Sequence, residues 1–292
     1  MTNKKYDVVA LGELLIDFTE NGLSEQGNPL LEANPGGAPC NVLSMLQKLG
    51  DKTAFIGKVG NDGFGHLLTK AVQEQGIDTT GLVYDNDVHT TLALVLKKEN
   101  GDRDFAFYRN PGADMNLKEE EVNESLIASS SIFHFGTLSL TDESVKMATQ
   151  KAVKAAKENG LTITFDPNLR EPLWRSLEEA HEQVAWGLQQ ADVVKISDNE
   201  ITWFTGMDNY DEGIAFLQKE YPNLKLICLS MGGDGSKAVY RDIHVSYPAF
   251  LQEATIETTG AGDTFCACMM HTVLENGIDQ LDEEKLKEML KF

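Results

Sequence analysis

Thr162-Ile163-Thr164-Phe165-Asp166 runs directly into Pro167-Asn168-Leu169-Arg170. Five residues rich in β-branched and aromatic side chains, halted by an acid and a proline, read as a strand that ends in a polar loop. From this strand the chain alternates in both directions. Before it, a strand-like run from Ile132 to Gly136 precedes a helical stretch from Asp142 to Asn159, closed by Gly160. After it, the stretch from Ser176 to Gln190 is helical and leads to a second apolar run, Val193 to Ser197. Beyond further helix comes a third, Leu224 to Ser230. Strands separated by helices pair in parallel through right-handed crossovers, which lay helices on both faces of the sheet. The expected fold is α/β, a three-layer α/β/α arrangement around a mostly parallel sheet. Ala238-Val239-Tyr240 and His244-Val245-Ser246-Tyr247 predict a hairpin after its last parallel strand.

Towards the N-terminus, Val8-Val9-Ala10-Leu11 ends at Gly12 and reads as a buried strand. Asp17 follows just past its carboxyl end, where open α/β sheets place their ligands; a solvated loop acid is the alternative. A helix is expected from Pro39 to about Leu49, with Val42, Leu43, Leu46 and Leu49 at helical spacing and Gly50 as its stop. Asn41 in its first turn can aim an amide at a hydroxyl. Thr53 to Gly57 predicts a strand, and Leu67 to Gln75 a helix closed by Gly76. The glycines at 57, 60, 63 and 65 do not fit G-x-G-x-x-G, and G-x-x-x-x-G-K-[ST] occurs nowhere in the chain. Neither a dinucleotide fingerprint nor a P-loop is supported. Thr90 to Lys97 and Asp104 to Arg109 flank Glu99-Asn100-Gly101-Asp102, a strong hairpin signal. With the polar, loosely patterned residues near 13–35, the strands within about 88–112 make a small β lid.

No internal repeat, low-complexity run or Pro/Gly linker divides the 292 residues. One α/β domain over residues 1–292 is therefore expected, with the lid inserted in its first half. At 41% hydrophobic and 24% charged, the chain can bury a sizeable core. Its formal charge of −21, from 25 basic and 46 acidic residues, argues against nucleic acid or an anionic membrane as partner. A bound nucleotide needs only a local positive site and is not excluded. Cys40, Cys228, Cys266 and Cys268 are too few and too irregular for a disulfide framework, and Cys266-x-Cys268 lacks zinc spacing. The six histidines are scattered, with His134 read as a core histidine. The first residues carry no apolar signal core and no run approaches a membrane span, so a cytoplasmic location is expected.

The chemistry concentrates in Ile256-Glu257-Thr258-Thr259-Gly260-Ala261-Gly262-Asp263-Thr264-Phe265. An apolar helical run begins at Phe265. Gly260 and Gly262 leave the backbone uncovered at its start, where unpaired N–H groups and the positive end of the dipole favour an anion. A carboxylate at Asp263 repels that anion unless it serves to take a proton from a hydroxyl. Anion cradle and base together suit phosphoryl transfer to an alcohol; an ordinary helix start with an acid on its dipole is the alternative.

Thr258 to Asp263 resembles the TTGAGD core of the ribokinase-like (PfkB) family of sugar kinases. A second family motif is matched by Gly36-Gly37-Ala38-Pro39-Cys40-Asn41-Val42, with Gly50 and Gly60 at the family's spacing. Two motifs more than two hundred residues apart, in the right order, are a specific signal, and the resemblance covers nearly the whole chain. Phe107-Tyr108-Arg109-Asn110-Pro111-Gly112-Ala113-Asp114 is similar to the fructokinase branch. The resemblance implies a ribokinase-like fold and ATP-dependent phosphorylation of D-fructose at its 6-hydroxyl. It implies Asp263 as general base, with the amides of Gly260, Ala261 and Gly262 facing the transferring phosphoryl group. Asp17, Gly36, Gly37, Asn41 and Arg170 would hold the sugar. Arg109 would join them or remain an exposed strand-end arginine, and Arg170 has a loop ion pair as its alternative. Ser230, Gly232 and Gly235 would lie under the nucleotide with Gly260 and Gly262. Glu200 would order hydrated Mg2+ near the phosphates; read from the residues alone, Ser197 or Asn199 caps a helix and Glu200 is a first-turn acid. A kinase for 2-keto-3-deoxygluconate or ribose, and a sugar- or nucleotide-binding protein without turnover, stay open. An exposed lid face offers a route to a homodimer.

The chain also departs from the family pattern. Glu257 replaces the aspartate that helps some relatives hold a monovalent cation, Leu43 and Cys268 stand at usually small positions, and Ser197 replaces an asparagine. After the amphipathic stretch from Leu281 to Phe292, the family's final helix and strand are expected to be missing.

Overall fold

Every side chain from Val8 to Leu11 is fully buried, Val9 and Leu11 on one side and Val8 and Ala10 on the other. A strand buried on both faces belongs in the middle of a sheet with layers above and below. This is strand β1 (Tyr6–Leu11) in the computed structural model, which describes residues 4–97, 103–250 and 260–291. The hairpin tip expected at Glu99–Asp102 and the stretch Ile256–Thr259, with Glu257, lie outside the described residues.

The chain continues through β2 (Leu15–Leu23), β3 (Pro29–Gly36), α1 (Ala38–Leu49), β4 (Thr53–Gly60), α2 (Gly63–Glu74), β5 (Asp78–Asp85), β6 (Leu92–Lys97) and β7 (Arg103–Tyr108). There follow α3 (Glu124–Ala128), β8 (Ser130–Gly136), α4 (Glu143–Glu158), β9 (Thr162–Asp166), α5 (Leu177–Gln190), β10 (Val193–Ser197), α6 (Asp198–Thr205) and α7 (Tyr210–Glu220). The last elements are β11 (Leu226–Ser230), β12 (Ser236–Tyr240), β13 (Ile243–Tyr247), α8 (Ala261–Asn276) and α9 (Glu283–Lys291).

Among the described residues, nine strands form the main sheet in the order β13-β12-β11-β10-β9-β8-β1-β4-β5. From β5 to β11 they pair in parallel; β12 and β13 add an antiparallel edge. The cores on the two faces follow the alternation of the strands. On one face Phe133, Phe135, Phe165 and Ile196 pack with residues of α3 to α7; on the other Val8, Ala10, Phe55 and Cys228 pack with α1, α2, α8 and α9. Each such large apolar side chain stabilises the fold by about 1.5–3 kcal/mol. Helix ends follow local chemistry: Ser176 Oγ accepts from the Glu179 amide at the start of α5, and Gly50, in the left-handed region, closes α1. Gly187 is glycine because α5 crosses close to β9, where a Cβ would overlap the ring of Phe165.

Four strands form the lid, in the order β3-β2-β6-β7, with β2 antiparallel to β3 and parallel to β6. Ile16 and Ala93 are buried beneath it, and Phe18 meets Phe64 of α2 edge-on at 5.6 Å. Its rim exposes Leu23, Leu30 and Leu31.

Some elements differ from the sequence reading. Helix α2 starts at Gly63 rather than Leu67, because Asp62 caps it by accepting from the Gly65 amide. Strand β4 continues to Gly60, and β5 was not expected at all. Asp17 lies in strand β2, within the stretch near 13–35 expected for the lid, and not in a solvated loop, which was the alternative reading.

Candidate active site

Helix α8 begins at Gly260, whose φ of 79° is left-handed and suits a residue without Cβ. The turn leaves the first amides of α8 pointing out of the helix and sets Asp263 in its first turn. Asn41 Nδ2, in the first turn of α1, donates to Asp263 Oδ2 at 2.9 Å. Two motifs 222 positions apart thus meet side chain to side chain. The start of α1 is itself fixed: Glu13 Oε1 accepts from the Ala38 amide at 2.8 Å, and Gly37 has φ 117° where a Cβ would overlap the Glu13 carbonyl.

These residues line a cavity of about 280 Å³ under the lid, together with Asp17, Asn168, Arg170, Lys195, Phe107, Gly260 and Gly262. Asp17 enters from β2, and Gly36 on the neighbouring strand is glycine because a Cβ would overlap its carboxylate. Burial pushes Asp17 up to about 6, against the pull of Arg170 and with a further push from Asp263. Burial also raises Asp263, opposed by the Asn41 hydrogen bond and by the charges of Lys195 and Arg170. A carboxylate held above its ordinary range is better suited to accept a proton near neutral pH. A second cavity, also about 280 Å³, opens on the other side of the α8 start. Ser230, Gly232, Gly235, Phe250, Ala261, Gly262 and Leu290 are in its wall, so Gly262 belongs to both cavities.

The structure therefore brings Asp17, Gly37, Asn41, Arg170, Gly260, Gly262 and Asp263 together, with Gly36 directly behind Asp17. Ser230, Gly232, Gly235 and Ala261 group in the adjoining cavity. Arg109 does not join the first cavity. Its guanidinium is buried and donates to Asp114 Oδ2 from Nε at 2.8 Å, to Thr141 Oγ1 at 2.8 Å and to the Leu138 carbonyl at 3.0 Å. It is neither the exposed strand-end arginine of one expectation nor a wall of the Asp263 cavity; it lines a separate cavity of about 400 Å³ with Trp174 and Arg175. Glu200 forms a capping box with Ser197, accepting from its amide and hydroxyl at 2.8 Å, while Oε1 accepts from the Leu169 amide at 2.8 Å. Glu200 thereby ties α6 to the loop that carries Asn168 and Arg170. His134 bonds Thr164 Oγ1 through Nδ1 at 3.0 Å, and burial lowers it to about 3, as a neutral core histidine requires. Among the described residues no three His, Cys, Asp or Glu side chains cluster as metal ligands, and no helix is long and apolar enough to cross a membrane.

Sequence reasoning passed over Glu13, Asp166 and Lys195. Lys195 Nζ pairs with Asp166 Oδ2 at 3.1 Å, both side chains almost fully buried. The available signal was an ionisable residue inside the apolar run Val193–Ile196, which demands a partner. For Glu13, it was an acid directly after a buried strand.

A model of the pfkB family of carbohydrate kinases matches residues 5–292. A probable fructokinase-2 of Arabidopsis thaliana is 41% identical over 288 residues, 98% of this chain and 87% of that protein. Fructokinase-1 of Zea mays is 40% identical over 287 residues, 98% of this chain and 88% of that protein. The fructokinase of Xylella fastidiosa, solved with bound ATP, superimposes with a TM-score of 0.87 at 28% identity, covering 97% of this chain and 88% of that one. A putative ribokinase II from E. coli, solved with ATP and Mg2+, gives 0.83 at 25% identity, with 97% and 90% covered. With the family model spanning almost its whole length, this chain belongs to the pfkB family of carbohydrate kinases and is a phosphotransferase of the fructokinase-like type.

Proposed function

We propose that the chain transfers the γ-phosphoryl group of ATP to the 6-hydroxyl of D-fructose, with Asp263 as general base. The observation that carries this reading is Asp263 in the wall of the first cavity, next in sequence to Gly262, which both cavities share, with its carboxylate held by Asn41. Asp17, Asn41 and Arg170 hold the sugar against Gly37, and Ser230, Gly232 and Gly235 lie along the nucleotide. The Asp263 carboxylate takes the proton of the 6-hydroxyl as its oxygen bonds to phosphorus and ADP leaves. The amides at the α8 start face the charge on the phosphoryl oxygens. The lid covers the sugar and keeps water from competing for the phosphoryl group.

A neutral sugar is favoured over an acidic one such as 2-keto-3-deoxygluconate. An acidic substrate needs a second uncommitted cation near Arg170, but Lys195 in the same wall is paired with Asp166, and Arg109 is held by Asp114 outside this cavity. The residues fit Mg2+ that is held chiefly by nucleotide phosphates and water, since such a site needs no carboxylate cluster. Magnesium on the nucleotide supplies charge neutralisation between the phosphates. Both oxygens of Glu200 already accept protein hydrogen bonds, which leaves it a water-mediated contact at most.

ADP release with magnesium-ATP, measured against fructose, ribose, glucose, 2-keto-3-deoxygluconate and adenosine, tests the substrate. Turnover that depends on fructose supports the reading, and Asp263→Asn should cut it by roughly 10²–10⁴. Preference for another acceptor, or near-normal turnover in the variant, overturns it. The exposed Leu23, Leu30 and Leu31 further support pairing of the lid with a second copy; a monomer in sedimentation analysis at high concentration would contradict this.

A further inference from the structure

Helices α1 and α8 are joined by a polar contact at each end of their shared face. Asn41 meets Asp263 where both helices start. Asp51, directly after the Gly50 that closes α1, meets His271 further along α8. The helices therefore run in the same direction, and the second contact lies about 12 Å beyond the first along α8 by helical rise. His271 Nδ1 donates to Asp51 Oδ2 at 2.8 Å, with the two side chains only 16% and 12% exposed. Between these contacts Cys40, Val42, Leu43 and Leu46 of α1 pack with Cys266, Met269, Met270 and Val273 of α8. The buried side of α8 carries no leucine or isoleucine; it is made of small side chains and flexible methionines. Methionine fills gaps of many shapes, so such a face resists separation of the helices more than it resists sliding. A buried polar pair is satisfied at one register only, which is how a polar residue in a coiled-coil seam fixes the alignment of its helices.

Building on the reading of Asp263 as the base, we propose that His271 and Asp51 are positioning residues: their bond sets the register of α8 along α1 and so holds the Asp263 carboxylate at Asn41. The surroundings keep the imidazole turned to Asp51. Its Nε2 faces Glu275 Oε1 at 3.6 Å, one turn on in α8, so each ring nitrogen has a carboxylate beside it. Asp7, whose carboxylate accepts from the Lys52 amide at 2.7 Å, adds its charge near Asp51. Burial raises Asp51, with a smaller push from Asp7 and Glu275, and the bond and charge of His271 oppose the rise. Without the imidazole, Asp51 would be a half-buried carboxylate among two others, and the end of α1 would have no polar tie to α8 in its place. A slide of α8 by a fraction of a turn would then carry Asp263 away from Asn41 and move the helix start, with Gly260 and Gly262, against the cavity they line.

The test takes initial rates across a pH series for wild-type, His271→Leu, His271→Asn and Asn41→Leu proteins with fructose and magnesium-ATP. In His271→Leu, kcat should fall about 10- to 100-fold, the loss expected when a reacting group is misplaced by about 1 Å. The fructose KM should stay within about threefold, because Asp17 and Arg170 are carried by other elements. The acid limb should move to higher pH, as in Asn41→Leu, since the bond that lowers the Asp263 pKa is loosened in both. Combining His271→Leu with Asn41→Leu should cost less than the two single losses multiplied together. Asparagine can bring its amide to Asp51, so His271→Asn should recover most of the loss. Should His271→Leu fold poorly with Asp51 unpaired, His271→Leu with Asp51→Leu removes both polar groups and answers the same question. A lower melting temperature with unchanged kcat and acid limb, losses that multiply with Asn41→Leu, or no recovery by asparagine overturn the proposal. The readings beneath it fail separately: preference for another acceptor overturns fructose alone, since the same rates are then taken with that acceptor, and normal turnover of Asp263→Asn overturns the base assignment whatever His271→Leu does.

Discussion

Replacing Glu13 by glutamine should make the protein more stable at alkaline pH and leave it nearly unchanged in acid. Glu13 is buried at the edge of the Asp263 cavity, and burial pushes its carboxyl from an ordinary 4.5 up to about 7. Hydrogen bonds from its own amide and that of Ala38 oppose the shift, Asp114 adds to it, and Arg109 opposes it. The folded pKa lies above the unfolded one. The native state therefore keeps a proton that the unfolded chain has released, and native stability falls as the pH rises from 4.5 to about 7. Each tenfold in proton affinity is about 1.4 kcal/mol, so the full effect approaches about 3 kcal/mol. Glutamine keeps an oxygen to accept from the Ala38 amide but never ionises. Urea unfolding followed by tryptophan fluorescence, with matched m-values, should show the advantage of Glu13→Gln grow by about 2–3 kcal/mol between about pH 5 and pH 8. Asp17 and Asp166 are raised in both proteins and cancel in the difference. A stability difference that does not change with pH would refute the reasoning.

Gly36→Ala should displace the Asp17 carboxylate, because the new Cβ would stand 2.1 Å from Oδ2; on the proposed reading, in which Asp17 holds the sugar, the fructose KM should rise by about tenfold or more, with a smaller change in kcat. With Asp263 as the proposed base, the acid limb of the rate profile should fall at higher pH than an ordinary aspartate with pKa 3.8 would give, since burial raises it. Asn41→Leu removes a hydrogen bond that lowers that pKa and should move the limb to still higher pH, which initial rates across a pH series would register. Arg109→Met should destabilise the protein by about 3–5 kcal/mol in urea unfolding, because it leaves the Asp114 carboxylate buried without its counter-charge; a stable variant with altered sugar preference would instead put Arg109 in the substrate site.

The central strands were legible to the residue. Thr162–Asp166 and Val193–Ser197 are buried on both faces, and short runs rich in β-branched and aromatic residues mark them despite Thr164 and Lys195. Strand β5 escaped notice because it lies at the sheet edge, half exposed, and its Thr79-Thr80-Gly81 has the composition of a turn. Asp17, Asn41 and Arg170 were expected near Asp263 through the family resemblance rather than from any local pattern of their own, and they line one cavity with it. Arg109 was misread because Thr141 and Leu138, which hold it with Asp114, lie about thirty residues further on and leave no local pattern. Glu200 shows how one residue satisfies two descriptions. Its capping box is local and was readable, whereas its bond to the Leu169 amide is a tertiary contact that only the fold reveals. Lys195 was visible as a charge in a strand, yet nothing in the sequence says which acid answers it.

The contact between Asn41 and Asp263 also bears on the birth of the protein. During synthesis α1 emerges early, with Cys40, Val42, Leu43 and Leu46 forming an apolar stripe. That stripe packs with Cys266, Met269, Met270 and Val273 of α8, which leaves the ribosome more than two hundred residues later. Over that interval the nascent chain carries an uncovered hydrophobic surface, the kind that chaperones hold and that associates between chains. The arrival of α8 closes this surface and brings Asp263 to its partner Asn41 in one event. Maturation and competence are thus coupled: a ribosome that stalls before α8 releases a chain that is both sticky and inert.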